Sequence, residues 1–128
     1  RRAIAAASLN GRIYAMGGMD SEGDTSKAVD VYDVATGEWT EGPELPRGSM
    51  NGFGAAACVA DGRLYVNTYA AGISVLNADG SAWEPAAEPS ERRFFHRMLP
   101  LGRESLVLIG GASRSEGHMG SLEVISVR

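Results

Sequence analysis

Cysteine is nearly missing from this chain. A single residue, Cys58, stands among 128, which excludes an intrachain disulfide and leaves the compartment open. Histidine is as scarce: His96 and His118 are the only two, 22 positions apart. A transition-metal site wants three or four such ligands, so this pair does not compose one. No apolar run approaches the ~18 residues that a membrane helix needs. Twelve lysines and arginines stand against 16 acidic residues, for a net charge of −4. The basic residues are scattered, so nothing points to nucleic acid. Proline is sparse at 5 residues while glycine reaches 17, a balance that favours tight turns over disorder. The chain opens on Arg1-Arg2-Ala3 with no initiator methionine and no signal-peptide pattern. The expectation is a piece of a longer chain.

What is present is a repeat. Residues 3–9 meet Asn10-Gly11 and then RIYAMGG, while residues 53–60 meet Asp61-Gly62 and then RLYVNTY. Asn-Gly or Asp-Gly between two apolar runs predicts a two-residue hairpin, because both turn positions need positive φ. Gly11-Arg12-Ile13-Tyr14 thus recurs 51 residues later as Gly62-Arg63-Leu64-Tyr65. A third copy starts at 93–101, turns at Gly102-Arg103-Glu104, and carries Gly110-Gly111 where the first has Gly17-Gly18. The second half of the unit repeats too: an alternating strand, a glycine turn, then Trp39 or Trp83, each six positions past Asp33 or Asn77. In the third copy Leu122-Glu123-Val124-Ile125 matches the strand at Val29, and no tryptophan strand follows before Arg128. The alanine-rich runs favour helix by propensity. They are short, uncapped and closed by hairpin turns, so strand is the better reading. Small side chains also suit strands that crowd around an axis.

With these residues in view, the chain resembles kelch repeats, whose units are four-stranded blades of a β-propeller. The resemblance rests on the two glycine doublets, Tyr14, Tyr65, Tyr32, Trp39 and Trp83. The family's arginine leading into the inner strand corresponds to Arg1 and Arg93, and its histidine three positions on corresponds to His96. The second copy departs, with Thr68-Tyr69 in place of the doublet and Gly52 in place of the arginine. The resemblance implies an all-β fold: a partial kelch propeller over 1–128, with antiparallel four-stranded blades at about 3–46, 53–90 and 94–128. That makes roughly two and three-quarter blades. Since a propeller closes with 4 to 8, the remaining blades of a larger chain, or self-association, would have to cover the open faces. The outer strand of the third blade is expected from the N-terminal end of the whole protein.

Other motifs carry less. Gly52-Phe53-Gly54-Ala55-Ala56-Ala57 fits a loose dinucleotide pattern, but a second strand follows where that chemistry needs a helix. Asp20-Ser21-Glu22-Gly23-Asp24 gathers three carboxylates, with its glycine at position four instead of the six of an EF-hand loop. A solvated loop is the expectation. Cys58 reads as a small buried hydrophobe. Trp39, Trp83 and the tyrosines read as packing between blades. His96 is expected to face the channel or stack on Phe94 and Phe95, and His118 to be solvated.

The loops joining fourth to first and second to third strands should converge on one end of the channel. They bring Arg47, Asn51, Tyr69, Arg92, Arg93, Arg114 and His118 to one face, with Tyr69 expected to be exposed. Loops on a rigid scaffold are where binding concentrates, and a partly basic rim suits a carboxylate or an acidic peptide. The favoured function is an interaction module for a protein segment or a small polar ligand. The alternative that the resemblance allows is a carbohydrate-active propeller enzyme, resembling galactose oxidase or a sialic-acid epimerase. No catalytic residue, cofactor or metal is assigned from the sequence.

Overall fold

The computed structural model describes residues 1–127, and every regular element among them is a strand. The first sheet joins β1 (Ala5–Leu9), β2 (Arg12–Met16), β3 (Val29–Asp33) and β4 (Glu38–Glu41) in sequence order, all antiparallel. The second repeats it with β5 (Ala56–Ala60), β6 (Arg63–Thr68), β7 (Gly72–Leu76) and β8 (Trp83–Ala87). The third contains β9 (Arg97–Leu101), β10 (Ser105–Ile109) and β13 (Leu122–Ser126), with β10 in the middle. Between β10 and β13 a small hairpin forms from β11 (Ala112–Ser113) and β12 (Gly117–His118). The sequence had suggested a plain loop there.

The hairpin turns follow from residue chemistry. Asn10 and Gly11 have φ of 52° and 75°, and Asp61 and Gly62 have 49° and 72°, the all-positive pair that a type I′ turn requires. Side-chain alternation then divides the middle sheet between two cores. Tyr14, Met16, Val29 and Val31 of the first sheet meet Leu64, Val66 and Leu76 of the second. The opposite face of the second sheet places Ala56, Cys58, Tyr65, Ile73 and Val75 against Met98, Leu106 and Leu108 of the third. The middle sheet is covered on both faces, so every residue of β7 is buried. The inner strands β1, β5 and β9 lie side by side, and the alanines of the first two permit the close approach.

A backbone thread also links the sheets at their inner end. Ala3, Gly54 and Phe95 hold the same place in successive repeats and share φ of 58°, 65° and 59°. The Gly54 N–H donates to Ala3 O at 3.1 Å, and the Phe95 N–H donates to Gly54 O at 2.8 Å.

The two tryptophans behave differently, which corrects the expectation that both are packed. The Trp83 indole N–H crosses to the neighbouring sheet and donates to Pro43 O at 2.9 Å. Trp39, at the same place in the first repeat, is 59% exposed and touches Tyr32 with ring centroids 5.0 Å apart. The physical reason is that the first sheet covers Trp83, whereas among the described residues no sheet lies against the corresponding face of the first.

Candidate binding face

The loops converge as the repeat implies. Where blades one and two meet, the Gly18 N–H donates to Gly52 O and the Gly52 N–H donates to Ser26 O, both at 2.9 Å. A Cβ on Gly52 would stand 2.6 Å from Gly17 Cα and 2.8 Å from Ser26 O. Gly52 therefore allows two backbones to touch, and the dinucleotide-like run is a packing device. Asn51 is half-buried at φ 43° and donates from Nδ2 to Thr25 Oγ1 at 3.1 Å.

Between blades two and three the departure from the repeat becomes a tie. Tyr69, expected to be exposed, is only 7% exposed. Its ring meets Phe94 edge-on at 5.4 Å, and its hydroxyl accepts the backbone N–H of Arg114 at 2.9 Å. Arg114 Nη1 also donates to Ser49 Oγ at 3.3 Å, and the Glu116 N–H donates to Ser113 Oγ at 2.8 Å. The β11–β12 hairpin is thereby held from both sides. Where the first repeat has a glycine doublet, the second uses an aromatic strut.

Arg93 also needs correcting as an open ligand-binding group. It is 2% exposed, and its guanidinium donates to Gly110 O, Ser121 O and Ser121 Oγ at 2.9 to 3.0 Å. Its charge is spent on closing the third repeat's own loop. Its counterpart Arg1 does similar work in the first repeat, pairing with Asp30 at 2.8 Å. Arg47, Arg92, Arg114 and His118 are exposed.

His96 is buried instead of standing open to solvent. It is 2% exposed, with Nε2 2.8 Å from Asn67 Oδ1. Because Asn67 Nδ2 donates to Thr68 O and Gly72 O, Oδ1 is the acceptor and His96 Nε2 carries the proton. Burial first, then the positive charges of Arg93 and Arg97, pull the imidazole pKa down to about 4. His96 is thus a neutral bolt between blades two and three, whereas at the boundary between blades one and two the corresponding Met16 and Ala55 belong to an apolar cluster. Cys58 is buried, and burial pushes its thiol up to about 11, which keeps it unreactive. Asp20, Glu22 and Asp24 do bring carboxylate oxygens within 4.8 Å of one another. Asp20 Oδ1 is occupied in accepting the N–H groups of Glu22 and Asp24 at 2.9 Å.

One feature of this face was not foreseen. All 3 phenylalanines of the chain gather there. Phe95 meets Phe53 at 5.0 Å and Phe94 at 5.2 Å, both edge-on, and is 50% exposed. It does so at φ 59°, in a region that costs a residue with a Cβ roughly 1–2 kcal/mol. The second repeat has Gly54 at that position. The available signal was that substitution, a bulky aromatic aligned with a glycine.

Three comparisons bear on this architecture. The Kelch motif family model matches residues 1–46, the stretch with the best-kept glycine doublet, tyrosine and tryptophan. That stretch carries a Kelch motif. Kelch-like protein 36 of Mus musculus is 42% identical over 55 residues, which is 42% of this chain and 9% of that protein. Its counterpart in Bos taurus is 44% identical over the same length. The whole chain also superposes on the solved structure of YjhT with a TM-score of 0.80, at 18% identity, over 98% of this chain and 43% of that one. That likeness concerns the propeller fold. The chain spans less than half of YjhT and 9% of the curated relatives it matches.

Proposed function

We propose that this kelch-type propeller module binds a segment of another protein through its loop face, with Phe95 as the central anchor. The observation that carries the reading is the half-exposed Phe95 ring on a base of Phe53 and Phe94. Exposed aromatics near arginine are typical of binding hot spots. Arg92 stands three positions away, and Arg114 connects to the cluster through Tyr69 and Phe94. The hairpin that carries Arg114 and His118 is braced in advance, which lowers the ordering cost of binding. Arg47 and Asn51 extend the face toward blade one. Peptide-display selection on the protein tests this. The expected winners carry an apolar or aromatic residue beside acidic ones, and bind Phe95→Ala and Arg114→Ala variants at least tenfold more weakly. Winners indifferent to both substitutions would remove the loop face from consideration.

The same reading includes further blades. Ile13 is 38% exposed where its counterpart Leu64 is 0% exposed, and Leu99, Leu101, Leu122 and Val124 leave the other end equally bare. Two apolar faces of this kind suit another blade of the same build, from a longer chain or a second copy. Light scattering on this chain expressed alone should show association. A well-folded strict monomer would argue against both sources.

A further inference from the structure

A second cleft, of about 290 Å³, lies between blades one and two near the 3–4 turns, lined by Arg12, Tyr14, Asp33, Glu38, Thr40 and Asp79 among others. Asp33 sits directly opposite Glu38 on the neighbouring strand, so two like charges share one face, an unfavourable cross-strand pairing. Asp79 reaches the same cleft from the turn of blade two. Asp33 Oδ1 accepts the N–H groups of Ala35 and Thr36, and Asp79 Oδ1 accepts from Ser81. Each keeps its second oxygen for something else. Arg12 lies opposite Asp33, yet no ion pair joins it to a carboxylate among the described residues. Beneath them is Tyr14, only 6% exposed, whose hydroxyl has no hydrogen-bond partner among the described residues. It lines the cleft beside Val31.

We propose that this cleft is a second binding site, which takes a lysine or arginine side chain of a partner polypeptide. Four carboxylates, Asp33, Glu38, Glu41 and Asp79, against one arginine call for a cation. The tyrosine ring and Val31 suit an aliphatic stem and a cation held over an aromatic face. A bare metal ion fits less well, because among the described residues only Asp20, Glu22 and Asp24 bring three ligand atoms within 4.8 Å of one another. The cleft is particular to this boundary. The second repeat has Asn77 and Ala82 at the places of Asp33 and Glu38, so its counterpart carries neither charge. The site lies away from the loop face and does not depend on that reading.

The test is a titration of the ¹⁵N-labelled protein, followed by amide shifts, with N-acetyl-Gly-Lys-Gly-amide, its norleucine counterpart and calcium chloride. The lysine peptide should produce saturable shifts at Thr36, Glu38, Thr40 and Gly80. Glu38→Gln with Asp79→Asn should weaken it at least tenfold, whereas Phe95→Ala should leave it unchanged. Both acidic positions are exposed, so the double variant should fold, and its unchanged spectrum elsewhere checks that. No shifts with the lysine peptide, equal shifts with norleucine, or the same shifts with calcium alone would each overturn the proposal.

Discussion

His96 Nε2 donates to Asn67 Oδ1 at 2.8 Å inside the boundary between blades two and three, in a place where burial and the charges of Arg93 and Arg97 disfavour the protonated ring. The folded pKa, about 4, lies below the ordinary 6.5. Above pH ~6.5 neither folded nor unfolded chain binds the extra proton, and stability is at its full value. Between pH ~6.5 and ~4 the unfolded chain takes the proton first, so stability falls as the pH drops. The loss amounts to roughly 3 kcal/mol at most. Urea unfolding at pH 7 and pH 5 should show this slope, and His96→Gln should flatten it. An unchanged slope in that variant would show that His96 does not cause it.

Trp83 and Trp39 should differ in worth although they share a position in the repeat. Trp83→Ala removes an inter-blade contact and the hydrogen bond to Pro43, at an expected cost of about 3 kcal/mol. Trp39→Ala removes an exposed ring in contact with Tyr32 and should cost under ~1 kcal/mol in this chain alone. Thermal unfolding of both variants decides it, and equal losses would contradict the assigned packing.

Gly17 and Gly11 separate crowding from backbone conformation. Both have φ above 70°, so alanine at either is strained by roughly 1–2 kcal/mol. Gly11 has open space around it, whereas a Cβ on Gly17 would press on the backbone of Gly52, with Cα at 2.7 Å. Gly17→Ala should therefore destabilise by at least about 2 kcal/mol more than Gly11→Ala. Denaturant midpoints measure the difference.

Tyr69→Phe keeps the ring packing on Phe94 and deletes only the acceptor for the Arg114 N–H. The expected loss is about 1 kcal/mol, concentrated in the β11–β12 hairpin. Hydrogen exchange should speed up at Arg114 and leave β6 and β7 unchanged. Uniform acceleration would mean that Tyr69 acts through the core.

Much of the architecture is legible in the sequence. Asn10-Gly11 and Asp61-Gly62 predict their hairpins because few other residue pairs accept two positive φ values. Gly17-Gly18, Tyr14 and Trp39 mark the kelch unit. The face was legible only as a set of loops. Arg93 was placed among its open groups, but its guanidinium is buried and its Nη1 donates to carbonyls 17 and 28 positions away. Tyr69 looked exposed because it stands where a glycine was expected. Its partner lies 45 positions on, in a hairpin with no signature of its own.

The sequence by itself determined the repeat, the turns and the alternation of each strand, since these depend on neighbouring residues and on backbone sterics. Only the tertiary structure decided which face of each blade is covered, which arginines remain free, that His96 is held neutral, and that Phe95 stands out on its cluster. Those outcomes depend on contacts between residues far apart in the chain. They also depend on burial, which sets both the cost of a charge and the partners within its reach.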